Sequence, residues 1–201
     1  MMLVESSKFL SRSFFSRPTI VVARKLLGCE LIREFRGIRL SGIITETEAY
    51  IGETDLACHA RAGRTNRTQF LYGSPGHTYV YFTYGMHWML NLVTERENFP
   101  AAVLIRSITP KEGIESMKRF RSGKPLTQLT NGPAKLTQAM NITKKQNGID
   151  CCNVNSIIKV KRGSKINNSQ ILKNTRIGIG QTPEPWVSKP WRFNLKDVSK
   201  P

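Results

Sequence analysis

The chain reads as a single α+β domain, a curved antiparallel β-sheet of roll or open-barrel form with short helices around it. Three observations predict this. Stretches rich in β-branched and aromatic residues recur at 29–35, 38–50, 78–84, 86–93 and 101–108, a composition that suits strands better than helices. Short connections containing glycine join two pairs of them: Arg36-Gly37 makes the first two a hairpin of antiparallel neighbours, and Tyr84-Gly85-Met86 makes a β-hairpin or a bent strand pair. The 201 residues hold no internal repeat, heptad run or evident linker, and that length suits one core.

Taken in order, the N-terminus is rich in Ser and Arg, like an organellar transit peptide, from Ser6 and Ser7 to Ser16 and Arg17. Phe14, Phe15 and Pro18 nevertheless run straight into a helical pattern, so it is read as part of the fold. Pro18 or Thr19 opens a helix with Val22, Ala23, Leu26 and Leu27 on one face, and Gly28 stops it. Cys29 to Phe35 and Ile38 to Tyr50 then form a hairpin. Residues 51–69, polar and rich in Gly, Arg and Thr, make an irregular loop of functional character.

Gly73-Ser74-Pro75-Gly76 turns the chain into a strand over 78–84, Gly85 bends it, and Met86 to Val93 continues as a strand. Ala101 to Ile108 is a further strand closed by Pro110, and Lys111 to Arg121 a helix with Ile114, Met117 and Phe120 as its apolar stripe. Asn131-Gly132-Pro133 introduces a short helix over 134–140 that carries Lys135. Ser156 to Val160 and Arg176 to Ile179 read as late strands, and the tail rich in Pro and Trp from Thr182 to Phe193 as mostly irregular.

Lys and Arg number 31 against 14 for Asp and Glu, a formal charge of +17 with a pI near 10.2, so the partner is a polyanion. Nucleic acid is favoured over a membrane, because no apolar run approaches the ~20 residues of a spanning helix and no long basic amphipathic helix is evident. Cys29, Cys58, Cys151 and Cys152 have no CxxC spacing, which points to a reducing cytoplasm. The sequons at Asn66 and Asn141 mean little without a secretory signal.

The stretch with most chemistry in it is Ile43-Ile44-Thr45-Glu46-Thr47-Glu48-Ala49-Tyr50. Strand alternation places Glu46, Glu48 and Tyr50 on one face, with residues two apart separated by roughly 6.5 Å. Two carboxylates that close oppose each other's ionisation and raise at least one pKa, one way to make a general base. The octet alone fits equally well a polar strand facing solvent.

Further residues carry a resemblance. The run from Glu46 to Gly52, then Asp55, His59, Gly63-Arg64-Thr65, Tyr79-Val80-Tyr81, Tyr84-Gly85-Met86 and Asn91 closely resembles the alkyladenine (3-methyladenine) DNA glycosylase family. The match continues in order through Leu104-Ile105-Arg106, Asn131-Gly132-Pro133, Arg176-Ile177-Gly178 and Trp191-Arg192-Phe193, so it covers about Pro18 to Phe193. It implies a monofunctional base-excision repair enzyme, monomeric and without a cofactor, acting on damaged double-stranded DNA. Such an enzyme flips an alkylated or deaminated purine out of the duplex and hydrolyses its N-glycosidic bond.

By that resemblance Glu48 is the general base that deprotonates a water, while Arg106 and the backbone carbonyl of Ile177 help to hold the water. Tyr50, His59 and Tyr81 line the base pocket, where electron-rich rings attract a cationic base. Asn91 forms a pocket wall that clashes with the exocyclic amino group of guanine-type bases. Tyr84, with Met86 beside it, wedges into the minor groove to fill the gap left by the extruded nucleotide. Arg64, Arg67 and, at a helix start, Lys135 match groups that contact DNA phosphates.

Read without the resemblance, His59 is a satisfied histidine of the fold, the tyrosines are strand packing, Asn91 bonds a neighbouring backbone group, and the lone cations are solvated. The chain also departs from the family pattern. Asn66-Arg67-Thr68 stands where Pro-Arg-Asn is usual, Leu71-Tyr72 where Met-Phe is common, and Ala134 replaces Gly or Ser before Lys135. These changes touch the rim of the groove and bear on affinity and lesion range. No lysine is placed for a Schiff-base lyase step, and no residues have metal-ligand spacing. A basic module that binds nucleic acid without cleaving it, or another reaction on a similar fold, remain as alternatives.

Overall fold

The computed structural model describes residues 8–196; Ser6 and Ser7 of the N-terminal run, and residues 197–201, lie outside that range. The remainder of that run does join the fold, as helix α1 (Arg12–Phe15) with Phe14 and Phe15 buried. Helix α2 (Thr19–Leu26) follows, and its Val22, Ala23 and Leu26 are fully buried. Burying Val22 and Leu26 contributes about 1.5–3 kcal/mol each, with a smaller share from Ala23, and at helical spacing the three dock the helix.

The strands are β1 (Glu30–Phe35), β2 (Ile38–Ile51), β3 (Thr78–Thr83), β4 (His87–Val93), β5 (Ala101–Glu112), β6 (Ile158–Lys161), β7 (Ile171–Asn174) and β8 (Arg192–Leu195). Among the described residues they form one open sheet of eight strands, every pairing antiparallel, ordered β3-β4-β5-β2-β1-β6 with a branch β2-β8-β7. The α+β architecture predicted above, an antiparallel sheet with short helices, is the one found.

Strand β2 is the axis of the sheet. Its first half pairs with β1 from Ile38↔Phe35 to Ile43↔Glu30. Beyond that point the same edge is taken by β8 at Glu46, Thr47 and Glu48. Along the other edge β5 pairs from Ser41 to Ile51, with register shifts between Ser41 and Gly42, between Ile44 and Glu46, and between Glu46 and Thr47. Bulges of this kind re-aim side chains. Here Thr45 is the extra residue on β2. Leu40 and Ile44 before it and Ala49 after it belong to one buried cluster, so the facing phase of the strand changes at Thr45. The bulge sends Glu46, Glu48 and Tyr50 to the opposite face.

On the core side the Thr47 hydroxyl donates to the Ala23 carbonyl at 2.9 Å, which ties β2 to α2. A second, smaller cluster of Cys58, Ala60, Leu71, Tyr72, Tyr79, Val93 and Ala102 lies on the other side, with Tyr50, Phe70 and Tyr81 packed against it.

Three expectations need correction. β5 does not close at Pro110 but continues to Glu112. Pro110 pairs with Gly42 beside a register shift, while β4 covers only Ala102–Leu104 of β5, so the proline sits at a bulge near a free edge, where a missing donor is tolerated. Because Lys111 and Glu112 stay in the sheet, helix α3 is Ile114–Phe120 and does not start at Lys111. Residues 176–179 are a bend, and the late strand is Ile171–Asn174. The tail from Thr182 is mostly irregular, as expected, and ends in β8. The short helix α4 spans Pro133–Ala139, and the loop after β2 contains single turns at His59–Ala62 and Gln69–Tyr72.

Candidate active site

Glu48 sits below the sheet surface with no solvent exposure. Its Oε1 accepts the Ile177 N–H at 2.8 Å and lies 3.3 Å from Arg106 Nη1, and its Oε2 accepts the Tyr50 hydroxyl at 2.8 Å. Arg106 is the residue of β5 left between the pairs Glu46↔Ser107 and Thr47↔Ile105, so that register shift aims its guanidinium at β2. Its Nε donates to Glu46 Oε1 at 3.1 Å, which also accepts Arg192 Nη1 at 3.0 Å.

Burial pushes the Glu48 pKa up, against the pull of Arg106, the Ile177 N–H and the Tyr50 hydroxyl; the Glu46 charge adds only a final increment. The rise expected from the two neighbouring carboxylates therefore occurs for a different reason. Glu46 is occupied by two guanidinium groups, and desolvation dominates. Burial, and then the Glu48 charge, hold the Tyr50 phenol well above its usual value, so it remains a donor.

In front of this group opens a cavity of about 290 Å³ lined by Tyr50, His59, Tyr79, Tyr81, Tyr84, Asn91, Arg106 and Ile177, among others. That is close to the lower bound of ~300 Å³ for small-molecule sites. The aromatic wall follows from strand alternation: Tyr79 and Tyr81 point inward from β3, while Val80 between them enters the main core. The His59 ring meets Tyr81 edge-on at 4.4 Å between centroids, and its Nδ1 is 3.0 Å from the Tyr79 hydroxyl. Burial first, then Arg67 and Arg61, lower the His59 pKa to about 4, so the imidazole is neutral at physiological pH. Asn91 donates its side-chain amide to the Tyr79 carbonyl at 3.1 Å, and so both walls the cavity and bonds to backbone.

Tyr84 and Gly85 form the turn between β3 and β4, with φ of 52° and 66° and the Met86 N–H donating to the Thr83 carbonyl at 3.2 Å. This left-handed pair opens a three-residue connection between the paired Thr83 and His87, and suits the right-handed twist of the flanking strands. A bulky residue rarely adopts positive φ. Tyr84 is 78% exposed and Met86 67%, yet Tyr84 still borders the cavity. Arg64 and Arg67 are exposed on the adjoining loop, over the Tyr72 and Tyr81 rings at 5.6 Å each. Lys135 Nζ donates to Asn131 Oδ1 at 2.8 Å; Pro133 of the same helix lines the cavity.

The structure thus gathers Arg106, Ile177, Tyr50, His59, Tyr81, Asn91 and Tyr84 around one cavity, with Glu48 behind the lining and bonded to three of its members, whereas Met86, Arg64, Arg67 and Lys135 do not line it. At Ile177 the contact shown is made by the backbone N–H, donating to Glu48.

The family model described as methylpurine-DNA glycosylase matches residues 13–199. The chain belongs to the methylpurine-DNA glycosylase family. Curated relatives carry the name "Putative 3-methyladenine DNA glycosylase". One from Carboxydothermus hydrogenoformans is 44% identical over 188 residues, covering 94% of this chain and 95% of the relative. Another, from Methanocella arvoryzae, is 45% identical over 189 residues, covering 94% and 92%. A third, from Alkaliphilus oremlandii, is 42% identical over 197 residues, covering 94% and 96%.

One part of this glycosylase-family site had no role assigned from the sequence. Asp55 and Arg176 form a fully buried, two-pronged ion pair at 2.5 and 2.9 Å. Losing one partner of such a pair costs about 3–5 kcal/mol. The signal available was a lone arginine set in an otherwise apolar and glycine-rich run, Arg176-Ile177-Gly178-Ile179.

Proposed function

We propose that this family member is a monofunctional DNA glycosylase that flips an alkylated or deaminated purine of the 3-methyladenine type into the cavity and hydrolyses its N-glycosidic bond. The observation that carries this reading is the Glu48 carboxylate, desolvated and held by three donors directly behind an aromatic cavity. Glu48 takes a proton from a water, the water oxygen bonds to C1′, and the C1′–N bond breaks with its electron pair leaving on the purine. The product is an abasic site. The raised Glu48 pKa makes it a stronger base than a solvated carboxylate.

A base alkylated on a ring nitrogen is cationic and leaves readily, so the enzyme's main task is to place the water and the base. The cavity is suited to such a cation. Tyr50, Tyr79 and Tyr81 offer ring faces and edges, and a neutral His59 adds no positive charge. Arg106, seated between Glu46 and Glu48, keeps its charge on the carboxylate side. Tyr84 at the tip of the hairpin fills the space that the flipped nucleotide leaves. Arg64, Arg67 and Lys135 supply phosphate contacts that set register without reading sequence.

The enzyme works as a monomeric single domain in a reducing cytoplasm, in keeping with its four free cysteines. The test is incubation of the purified protein with a duplex carrying one hypoxanthine or one methylated adenine, followed by alkaline cleavage. Strand breakage at the lesion is expected; intact strands with every lesion would reduce the protein to a basic nucleic-acid binder.

A further inference from the structure

We propose that the buried Arg176–Asp55 pair positions the catalytic carboxylate, by seating the Ile177 N–H and the Tyr50 hydroxyl on Glu48 in one geometry. This inference rests on the reading of Glu48 as the base. Neither partner lines the cavity, so the pair acts through its neighbours.

Those neighbours are the groups that hold Glu48. Arg176 donates to the Ala49 carbonyl at 3.0 Å, and its guanidinium lies over the Tyr50 ring at 4.8 Å. Both residues follow Glu48 on β2. Asp55 accepts the Ile51 N–H at 3.2 Å and the Ala57 N–H at 3.1 Å, joining the end of β2 to the loop that delivers His59. Arg176 also donates to the Trp186 carbonyl at 3.2 Å and lies over Trp191 at 5.0 Å. With Arg176 so fixed, the next residue presents its N–H to Glu48 Oε1 at 2.8 Å.

A guanidinium suits this role because it is planar and offers five donors in a rigid fork. A buried ion pair is a poor way to gain stability, since apolar residues of similar volume serve as well or better. Its position, one residue from a Glu48 ligand and stacked on the ring of another, is what the geometry accounts for.

The test compares the full-length wild type with Arg176→Lys and Asp55→Asn in single-turnover excision from a hypoxanthine duplex across pH, alongside DNA binding and circular dichroism. Glu48 is faced by Glu46 and Tyr50 on its own strand, Arg106 from β5, Tyr81 from β3 and Arg192 through Glu46. None of these is changed. Both variants are expected to excise roughly 10- to 100-fold more slowly with DNA affinity retained. The acid limb of the rate profile should also move to higher pH, because the Ile177 N–H that favours the charged carboxylate is displaced.

Folded variants with an unmoved acid limb, or a loss confined to thermal stability, would reduce the pair to a structural one and overturn the inference. If the single variants do not fold, Asp55→Leu combined with Arg176→Met removes both charges, and the same slowing and the same shift are expected. Wild-type rate and limb in that double variant would overturn it. No excision by the wild type would instead overturn the reading of Glu48 on which this rests.

Discussion

Glu48 pays a desolvation penalty when ionised, and its raised pKa fixes the sign of a measurable effect. The unfolded chain ionises this carboxyl near pH ~4.3. Between that pH and the raised native value the folded state holds the extra proton, so stability falls as pH rises through that window. Glutamine keeps the shape without the charge. The Tm of Glu48→Gln should therefore exceed that of the wild type at pH 8, with the gap closing towards pH 4; a wild type more stable at pH 8 would show that pairing with Arg106 outweighs burial. His59 has the opposite sign, its native pKa being lowered to about 4. Its contribution is present above about 6.5 and lost on acidification. That contribution is common to both proteins and cancels in the comparison.

Two elements turn these residues into a site, the bulged strand β2 and the hairpin tip. A strict period of two along β2 would place Glu46 and Glu48 on the same face as Leu40 and Ile44, inside the main core. The length of β2 and the shared face of Glu46, Glu48 and Tyr50 were legible in the sequence; the phase change at Thr45 was not, because it depends on register with β5. Arg176–Ile179 misled for a related reason. Alternating Ile and Gly resemble a strand, but the pull of Asp55 on Arg176 and a φ of 80° at Gly178 make a bend.

At the hairpin, positive φ at Tyr84 is a local cost that exposure alone does not explain. Tyr84→Ala should change stability by no more than ~0.5 kcal/mol. It should lower excision more for a well-paired lesion than for a mispaired one, since the latter costs less to extrude. Equal losses on the two duplexes would argue against a wedge.

For the molecule as a whole, the antiparallel sheet and the cationic surface were readable from composition and strand spacing. The branch that brings β8 to β2 was not, since Arg192–Asn194 and Glu46–Glu48 lie at opposite ends of the chain. With a formal charge of +17, binding should weaken steeply with salt, by about 0.9 in the logarithmic slope per phosphate neutralised. Replacing Arg67 by Ala should reduce that slope by about one; an unaltered slope would remove Arg67 from the phosphate contacts.

The central claim is tested most directly by single-turnover excision with Glu48→Gln on a lesion duplex that the variant is shown to bind. Full affinity with no abasic product is expected. Cleavage at near wild-type rate would mean that another group activates the water.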